Sequence, residues 1–151
     1  VCSSDLEEII LKFYETGKPL LGICLGMQML FDNSEEQGLH KGLGIISGSV
    51  KAIPKINPRG LMNKIPHIGW NNLEKKNNND IFNNINLDNS KFYFCHSYYV
   101  KISDNSHSLS KTSYGSSFDS VIKKDNIYGC QFHPEKSQTN GLKLLSNFIR
   151  F

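Results

Sequence analysis

Apolar residues follow two rhythms along this chain, and the rhythm changes where glycines stand. Ile9, Ile10, Leu11 and Phe13 recur at helical spacing over residues 7–14, and Gly17 follows, so a helix ending near Gly17 is predicted. Residues 19–24, PLLGIC, form a short apolar run suited to a buried strand. Residues 26–32, with Met27, Met29, Leu30 and Phe31, suit a helix directly after it. Gly22 and Gly26 flank that junction, where glycine permits a tight turn and a close backbone approach.

Further on, residues 33–44 read as a loop, 45–53 as a strand, 57–64 as turn-rich, and 65–74 as a strand alternating around Trp70. The asparagine-rich residues 75–91 read as an insertion-tolerant loop in which Ile81, Phe82, Ile85 and Leu87 dock a short helix. Residues 92–100, FYFCHSYYV, carry the strongest strand pattern, being aromatic and β-rich. Residues 120–132 read as two strands joined at the turn residues Asp125 and Asn126. Pro134 and Glu135 stand near a helix start, and Leu142, Leu144, Leu145, Phe148 and Ile149 supply one apolar face. No repeat is visible. The mixture predicts an α/β sheet with an antiparallel edge.

Composition narrows the class. A chain of 151 residues, 38% hydrophobic and 21% charged, suits one soluble globular domain with a real core. No apolar run approaches the roughly 20 residues of a membrane span. The net charge of +3 comes from 17 basic and 14 acidic residues, and the lysines are dispersed rather than gathered in a stripe. They read as a solvated surface, which speaks against nucleic acid as a partner. Cys2, Cys24, Cys95 and Cys130 show neither a CxxC pair nor metal-ligand spacing, so no metal and no cofactor is expected. A disulfide framework does not fit, and a reducing cytoplasm does. Cys95 and Cys130, on strands, read as inert core thiols.

Residues 1–6, VCSSDL, read as the translation of a sequencing-adapter end, and the domain is taken as 7–151. The plainer alternative is a loop in which Ser3, Ser4 or Asp5 caps the first helix.

Candidate chemistry starts at Cys24. The run Gly22-Ile23-Cys24-Leu25-Gly26 at a strand-to-helix turn has the form of a nucleophile elbow. The helix N-terminus behind the cysteine favours a thiolate, and the Leu25 backbone N–H is placed to donate to an oxyanion. A small buried hydrophobe is the alternative for Cys24. His133, in QFHPE, follows an apolar strand and so stands at a strand end, and Glu135 two residues on can orient its ring. The bland reading of His133 is a satisfied polar residue. Together the three have the roles of a Cys-His-Glu triad.

The motifs GICLGMQ, PHIGWN, FYFCHSYYV and GCQFHPEKS resemble those of class I glutamine amidotransferases. More narrowly, Met27, PHIGWN and HSYYV resemble the glutaminase subunits of imidazole glycerol phosphate synthases, from histidine biosynthesis. The resemblance runs from about Glu7 to Phe151. It implies a three-layer flavodoxin-like α/β fold with an antiparallel extension. It also implies that Cys24 attacks the side-chain amide of glutamine, that His133 moves the proton, and that Glu135 orients His133. Gln28 and Glu36 match positions that hold the substrate glutamine, and the backbone around Ser97 and Tyr98 matches its cradle. Ammonia would then pass to a (β/α)8-barrel cyclase subunit in a heterodimer, with Trp70, Asn71, Tyr93 and Lys136 near that interface. His67 and His96 lie inside family motifs and receive no catalytic role.

The family pattern begins with a strand and a glycine-rich loop that supplies a second oxyanion donor, and neither is present before residue 7. The chain is therefore expected to be an N-terminally truncated amidotransferase domain, inactive or unstable by itself. Two alternatives stand beside this reading. One is a paralogous glutaminase subunit serving a surface-sugar amidotransferase. The other is an inactive remnant or a non-catalytic interaction subunit.

Overall fold

The computed structural model describes residues 3–151, so Cys2 and the first part of the adapter-like segment lie outside the described residues. The elements in chain order are α1 (Ser3–Glu15), β1 (Leu20–Ile23), α2 (Leu25–Met29), β2 (Phe31–Ser34), β3 (His40–Lys41), β4 (Ile46–Ala52) and β5 (His67–Asn72). There follow β6 (Glu74–Lys75), β7 (Lys91–His96), β8 (Tyr98–Ile102), β9 (Ser108–Tyr114), β10 (Ser116–Lys124), β11 (Ile127–Cys130) and α3 (Gln138–Phe148). The strands form a five-stranded sheet in the order β1-β11-β10-β9-β6, a four-stranded sheet in the order β3-β2-β4-β8, and a β5-β7 pair.

The fold is mixed α/β, as predicted, but antiparallel pairing is more than an edge feature. Among the described residues, only β1 and β11 run parallel in the five-stranded sheet, with Ile23 opposite Cys130. That one parallel pair places two strand ends side by side, which is where α/β proteins build sites. Among the described residues β1 stands at the end of its sheet.

Several sequence expectations are corrected. The first helix begins at Ser3 rather than residue 7, so residues 3–6 belong to it rather than to a loop before it. The helix expected over 26–32 is the short α2, and Phe31 and Asp32 belong to β2. Phe31 is fully buried among Ile46, Val50 and Val100, and tertiary packing there overrides the helical spacing of Met27, Met29 and Leu30. The run 92–100 is two strands, not one, because the chain leaves the β5-β7 pair at Ser97 and enters the other sheet as β8. The short helix expected within 75–91 is two 3-10 turns, Asp80–Phe82 and Leu87–Asn89. Ile81, Phe82 and Leu87 do dock into the core there. Buried Asn147 of α3 fastens this loop by donating to the carbonyls of Ile81 (3.0 Å) and Asn83 (2.8 Å). On α3, Leu144 is buried while Leu142 is exposed, as is Ile149 just past its end, so the buried face is narrower than predicted.

Two apolar clusters meet across the five-stranded sheet. One gathers Phe92, Phe94, Phe118, Phe132 and Leu144, and the other gathers Met27, Leu30, Phe31, Ile46, Val50 and Ile127. Each large side chain fully buried in them contributes about 1.5–3 kcal/mol relative to exposure. Met27 anchors the segment after Cys24 in one cluster, and Phe132 anchors the residue before His133 in the other.

Candidate active site

The turn between β1 and α2 is the most constrained backbone in the site. Cys24 adopts φ 51° and ψ −105°, in the left-handed half of conformational space that a non-glycine residue enters only at a cost of order 1–3 kcal/mol. Its N–H donates to the Cys130 carbonyl at 2.8 Å, which ties the elbow to the end of β11. A Cβ at Gly22 would sit 2.6 Å from the Gly26 carbonyl oxygen, so the strand and the turn approach too closely for any side chain there. Gly26 differs: a Cβ on it would meet nothing within 4 Å, and its glycine has no steric reason in this structure.

The elbow presents Cys24 to a cleft of about 330 Å³ lined by Cys24, Leu25, Gln28, Glu36, Ser97 and Tyr98, with Pro66, Cys95 and His96 completing the wall. All the residues matched to substrate binding thus come together. Cys95 is a correction, because it is exposed beside this cleft rather than a core thiol. Cys130 is fully buried, as expected, and burial pushes its thiol well up.

Electrostatics at Cys24 also differ from the expected thiolate. Burial raises the thiol above its ordinary range, and the neighbouring Cys95 and Glu135 push the same way. The Leu25 N–H and the Gln131 side-chain amide donate toward the sulfur and oppose the shift. The thiol itself lies 3.8 Å from the Cys95 carbonyl oxygen. A five-residue helix offers a weak dipole, and loss of hydration outweighs it.

Gln28 is buried, and both hydrogens of its amide are used within the protein. Nε2 donates to the Tyr98 carbonyl at 2.9 Å and to Gln131 Oε1 at 3.1 Å. Only its Oε1 remains to face a ligand. Glu36 is half-buried and lines the same cleft.

His133 and Glu135 lie just past β11. His133 Nδ1 and Glu135 Oε1 pair at 2.7 Å, and the His133 N–H donates to the Tyr93 carbonyl at 2.9 Å. A 3-10 turn, Pro134–Lys136, follows directly and carries both Glu135 and Lys136. The pair does not line the cleft around Cys24, although the two strand ends are neighbours. With Nδ1 engaged, His133 Nε2 is the nitrogen left for a reacting group.

The β5-β7 pair separates two kinds of residue. On one side His67 is fully buried, stacked on Tyr114 with ring centroids 3.8 Å apart, and its Nδ1 meets His96 Nε2 at 2.9 Å. His96 Nδ1 donates to the Tyr98 carbonyl at 2.7 Å. Burial holds His96 down to about 4, with His67 and His133 adding to the effect, and burial lowers His67 too. On the other side Ile68 and Trp70 are exposed, and Trp70 meets Tyr93 edge-on at 5.7 Å. Asn71 points back to His67, its Oδ1 2.8 Å from Nε2, so it braces the histidine pair as well as flanking the exposed face. Lys136 is exposed. Sequence reasoning missed the role of Gln131 beside the sulfur and the His67–His96 contact. The second was legible in hindsight only through the register that sets His67 opposite His96.

This elbow and the FHPE turn on a shared parallel strand pair define a class: the chain belongs to the family of class I glutamine amidotransferases, whose pattern matches residues 3–151. Within that class it is similar to proteins named imidazole glycerol phosphate synthase subunit HisH. The relative from Aquifex aeolicus is 49% identical over 146 residues, covering 97% of this chain and 67% of its own length. The one from Geobacillus sp. is 44% identical over 145 residues, covering 96% and 68%. A solved glutamine amidotransferase from Thermotoga maritima superposes with a TM-score of 0.59 at 17% identity, covering 97% of this chain and 54% of that one. The chain thus spans about two thirds of the curated relatives' length and just over half of that structure's.

Proposed function

We propose that this chain carries the glutaminase chemistry of an imidazole glycerol phosphate synthase, releasing ammonia from glutamine for a cyclase subunit. The observation that carries the reading is the left-handed Cys24 held over a cleft with Gln28, Glu36, Ser97 and Tyr98 around it. Cys24 Sγ attacks the side-chain amide carbon of glutamine, and the Leu25 N–H receives the developing oxyanion. His133 takes the proton of the Cys24 thiol and delivers it to the departing ammonia, then takes a proton from water as it attacks the thioester and returns it to the sulfur as glutamate is released. Glu135 keeps Nδ1 occupied and supports the imidazolium. Glu36 and Gln28 Oε1 take the ammonium end of the amino acid, and the backbone at Ser97 and Tyr98 cradles the rest.

The exposed Trp70–Tyr93 face, with Lys136 beside it, receives a (β/α)8-barrel cyclase as a heterodimer, an aromatic anchor surface with a flanking charge. The barrel uses the ammonia to make imidazole glycerol phosphate and AICAR. Among the described residues no helix is long and apolar enough to cross a membrane, and we place the protein in the cytoplasm with other biosynthetic enzymes. No metal or cofactor takes part in this scheme.

Reconstitution with the barrel subunit tests the reading. Product should form from glutamine and also from ammonium salts, and Cys24→Ser should remove only the glutamine-dependent route. Glutamine-dependent turnover that survives Cys24→Ser would overturn the nucleophile. Glutaminase activity without transfer to the cyclase would redirect the chain to another acceptor, such as a sugar amidotransferase.

A further inference from the structure

Gln131 is a fully buried polar residue to which the proposed chemistry gives no task. It sits between the end of β11 and His133, and its backbone N–H donates to the Ser120 carbonyl at 3.0 Å. Its side chain reaches away from its own strand into the elbow. There Oε1 accepts from Gln28 Nε2 at 3.1 Å, and Nε2 donates to Cys24 Sγ at 3.7 Å.

The direction of these two amides is set by a group that cannot turn around. The Tyr98 carbonyl only accepts, so Gln28 must point Nε2 at it. The second hydrogen of that nitrogen then faces Gln131, which must answer with Oε1. What remains of Gln131, its NH2, is left facing the sulfur. A flip of Gln28 would set two acceptors against each other, and a flip of Gln131 would set two donors against each other. Among the described residues no buried side-chain nitrogen or oxygen lacks a partner, so the arrangement is fully satisfied as it stands.

We infer that Gln131 is a positioning residue for the nucleophile: its amide N–H, oriented through Gln28 by the Tyr98 carbonyl, holds the Cys24 sulfur in the elbow and supports the thiolate. Burial and the nearby Glu135 both act against charge on this sulfur, and Leu25 and Gln131 supply the donors that counter them. The Leu25 N–H is needed for the oxyanion once attack begins. Gln131 stays with the sulfur throughout. Because Tyr98 also lies in the cleft wall, substrate seated there acts on the same chain of hydrogen bonds.

This inference rests on the reading of Cys24 as nucleophile, so its test uses a readout independent of turnover. Alkylation of Cys24 by iodoacetamide is followed against pH, the Cys24 peptide being quantified by mass spectrometry, for the parent, Gln131→Leu and Gln131→Glu. For Gln131→Leu the midpoint should rise by about one pH unit and the rate at pH 7.5 should fall about tenfold. Gln131→Glu keeps an acceptor for Gln28 but sets a carboxylate by the sulfur, so it should move the midpoint further. In the assembled enzyme kcat for glutamine should fall about tenfold with KM within about twofold. A folded Gln131→Leu with the parent's midpoint overturns the inference, whatever its activity. Should that variant fail to fold, Gln131→Glu decides by the same criterion. A shifted midpoint in a protein that never hydrolyses glutamine would sustain the positioning role and sink the glutaminase reading instead.

Discussion

Two neighbouring strand ends prepare their side chains in opposite ways. At the end of β1 the backbone does the work. Cys24 sits at φ 51°, and the close approach of Gly22 to Gly26 leaves the turn no slack. At the end of β11 the backbone is relaxed, with His133 at φ −98° and ψ 96°. There hydrogen bonds fix the side chain: Glu135 holds the ring, and the Tyr93 carbonyl holds the backbone. Ser137 Oγ also ties this turn down, donating to the His133 carbonyl at 2.6 Å and accepting from the Tyr93 N–H at 2.9 Å. A nucleophile needs one fixed attack position, and steric strain supplies that. A residue that both gives and takes a proton needs a set tautomer and some freedom of its ring, which hydrogen bonds on an exposed turn supply.

The contrast predicts different kinds of failure. Cys24→Ala should abolish glutamine hydrolysis, a loss above about 10³-fold. Cys24→Gly should do the same while raising stability by about 1 kcal/mol, because glycine relieves the left-handed strain. Calorimetry showing no stabilisation in the glycine variant would remove strain from the account of the elbow. At the other end, Glu135→Gln should lower kcat by about 10²-fold and leave the melting temperature nearly unchanged, since Glu135 is exposed. A large drop in melting temperature would make it structural instead.

Gly22→Ala forces a side chain into the backbone of the turn and should cost about 1–3 kcal/mol in urea unfolding, with activity lost alongside.

Acid should then separate the buried histidine pair from both strand ends. His96 titrates near 4 when folded and near its ordinary 6.5 when unfolded. Between those values the unfolded chain binds the extra proton, so stability is full above pH 6.5 and falls as pH drops toward 4. The loss is on the order of 2–3 kcal/mol, and His67 adds in the same direction. A urea midpoint flat from pH 7 to 4.5 would contradict the burial argument.

Trp70→Ala should likewise disturb stability little. Trp70 is 42% exposed, so the fold should change by under about 1 kcal/mol, while affinity for the barrel should weaken by about tenfold. Equal affinity for parent and variant would remove this face from the interface.

Residues that act through their neighbours along the chain were legible in the sequence. The spacing of Gly22, Cys24 and Gly26 marks a strand-to-helix turn, and His133 and Glu135 stand two apart after an apolar strand. Local sterics and short-range geometry govern both features. The helix expected over 26–32 failed because Phe31 packs with residues far along the chain, and helical spacing cannot report that. The single strand expected over 92–100 failed because pairing partners, not composition, decide where a strand leaves one sheet for another.

The sequence by itself thus determined that an elbow cysteine and a strand-end histidine exist, because glycine patterns and apolar runs encode local backbone shape. Only the tertiary structure decided what surrounds them. Parallel register brings Ile23 opposite Cys130, and pairing sets His67 opposite His96. Burial lifts the thiol, and a carbonyl from residue 98 orients the amides at 28 and 131. Solvation and hydrogen-bond direction depend on every group within a few ångströms, and those groups come from segments that only folding brings together.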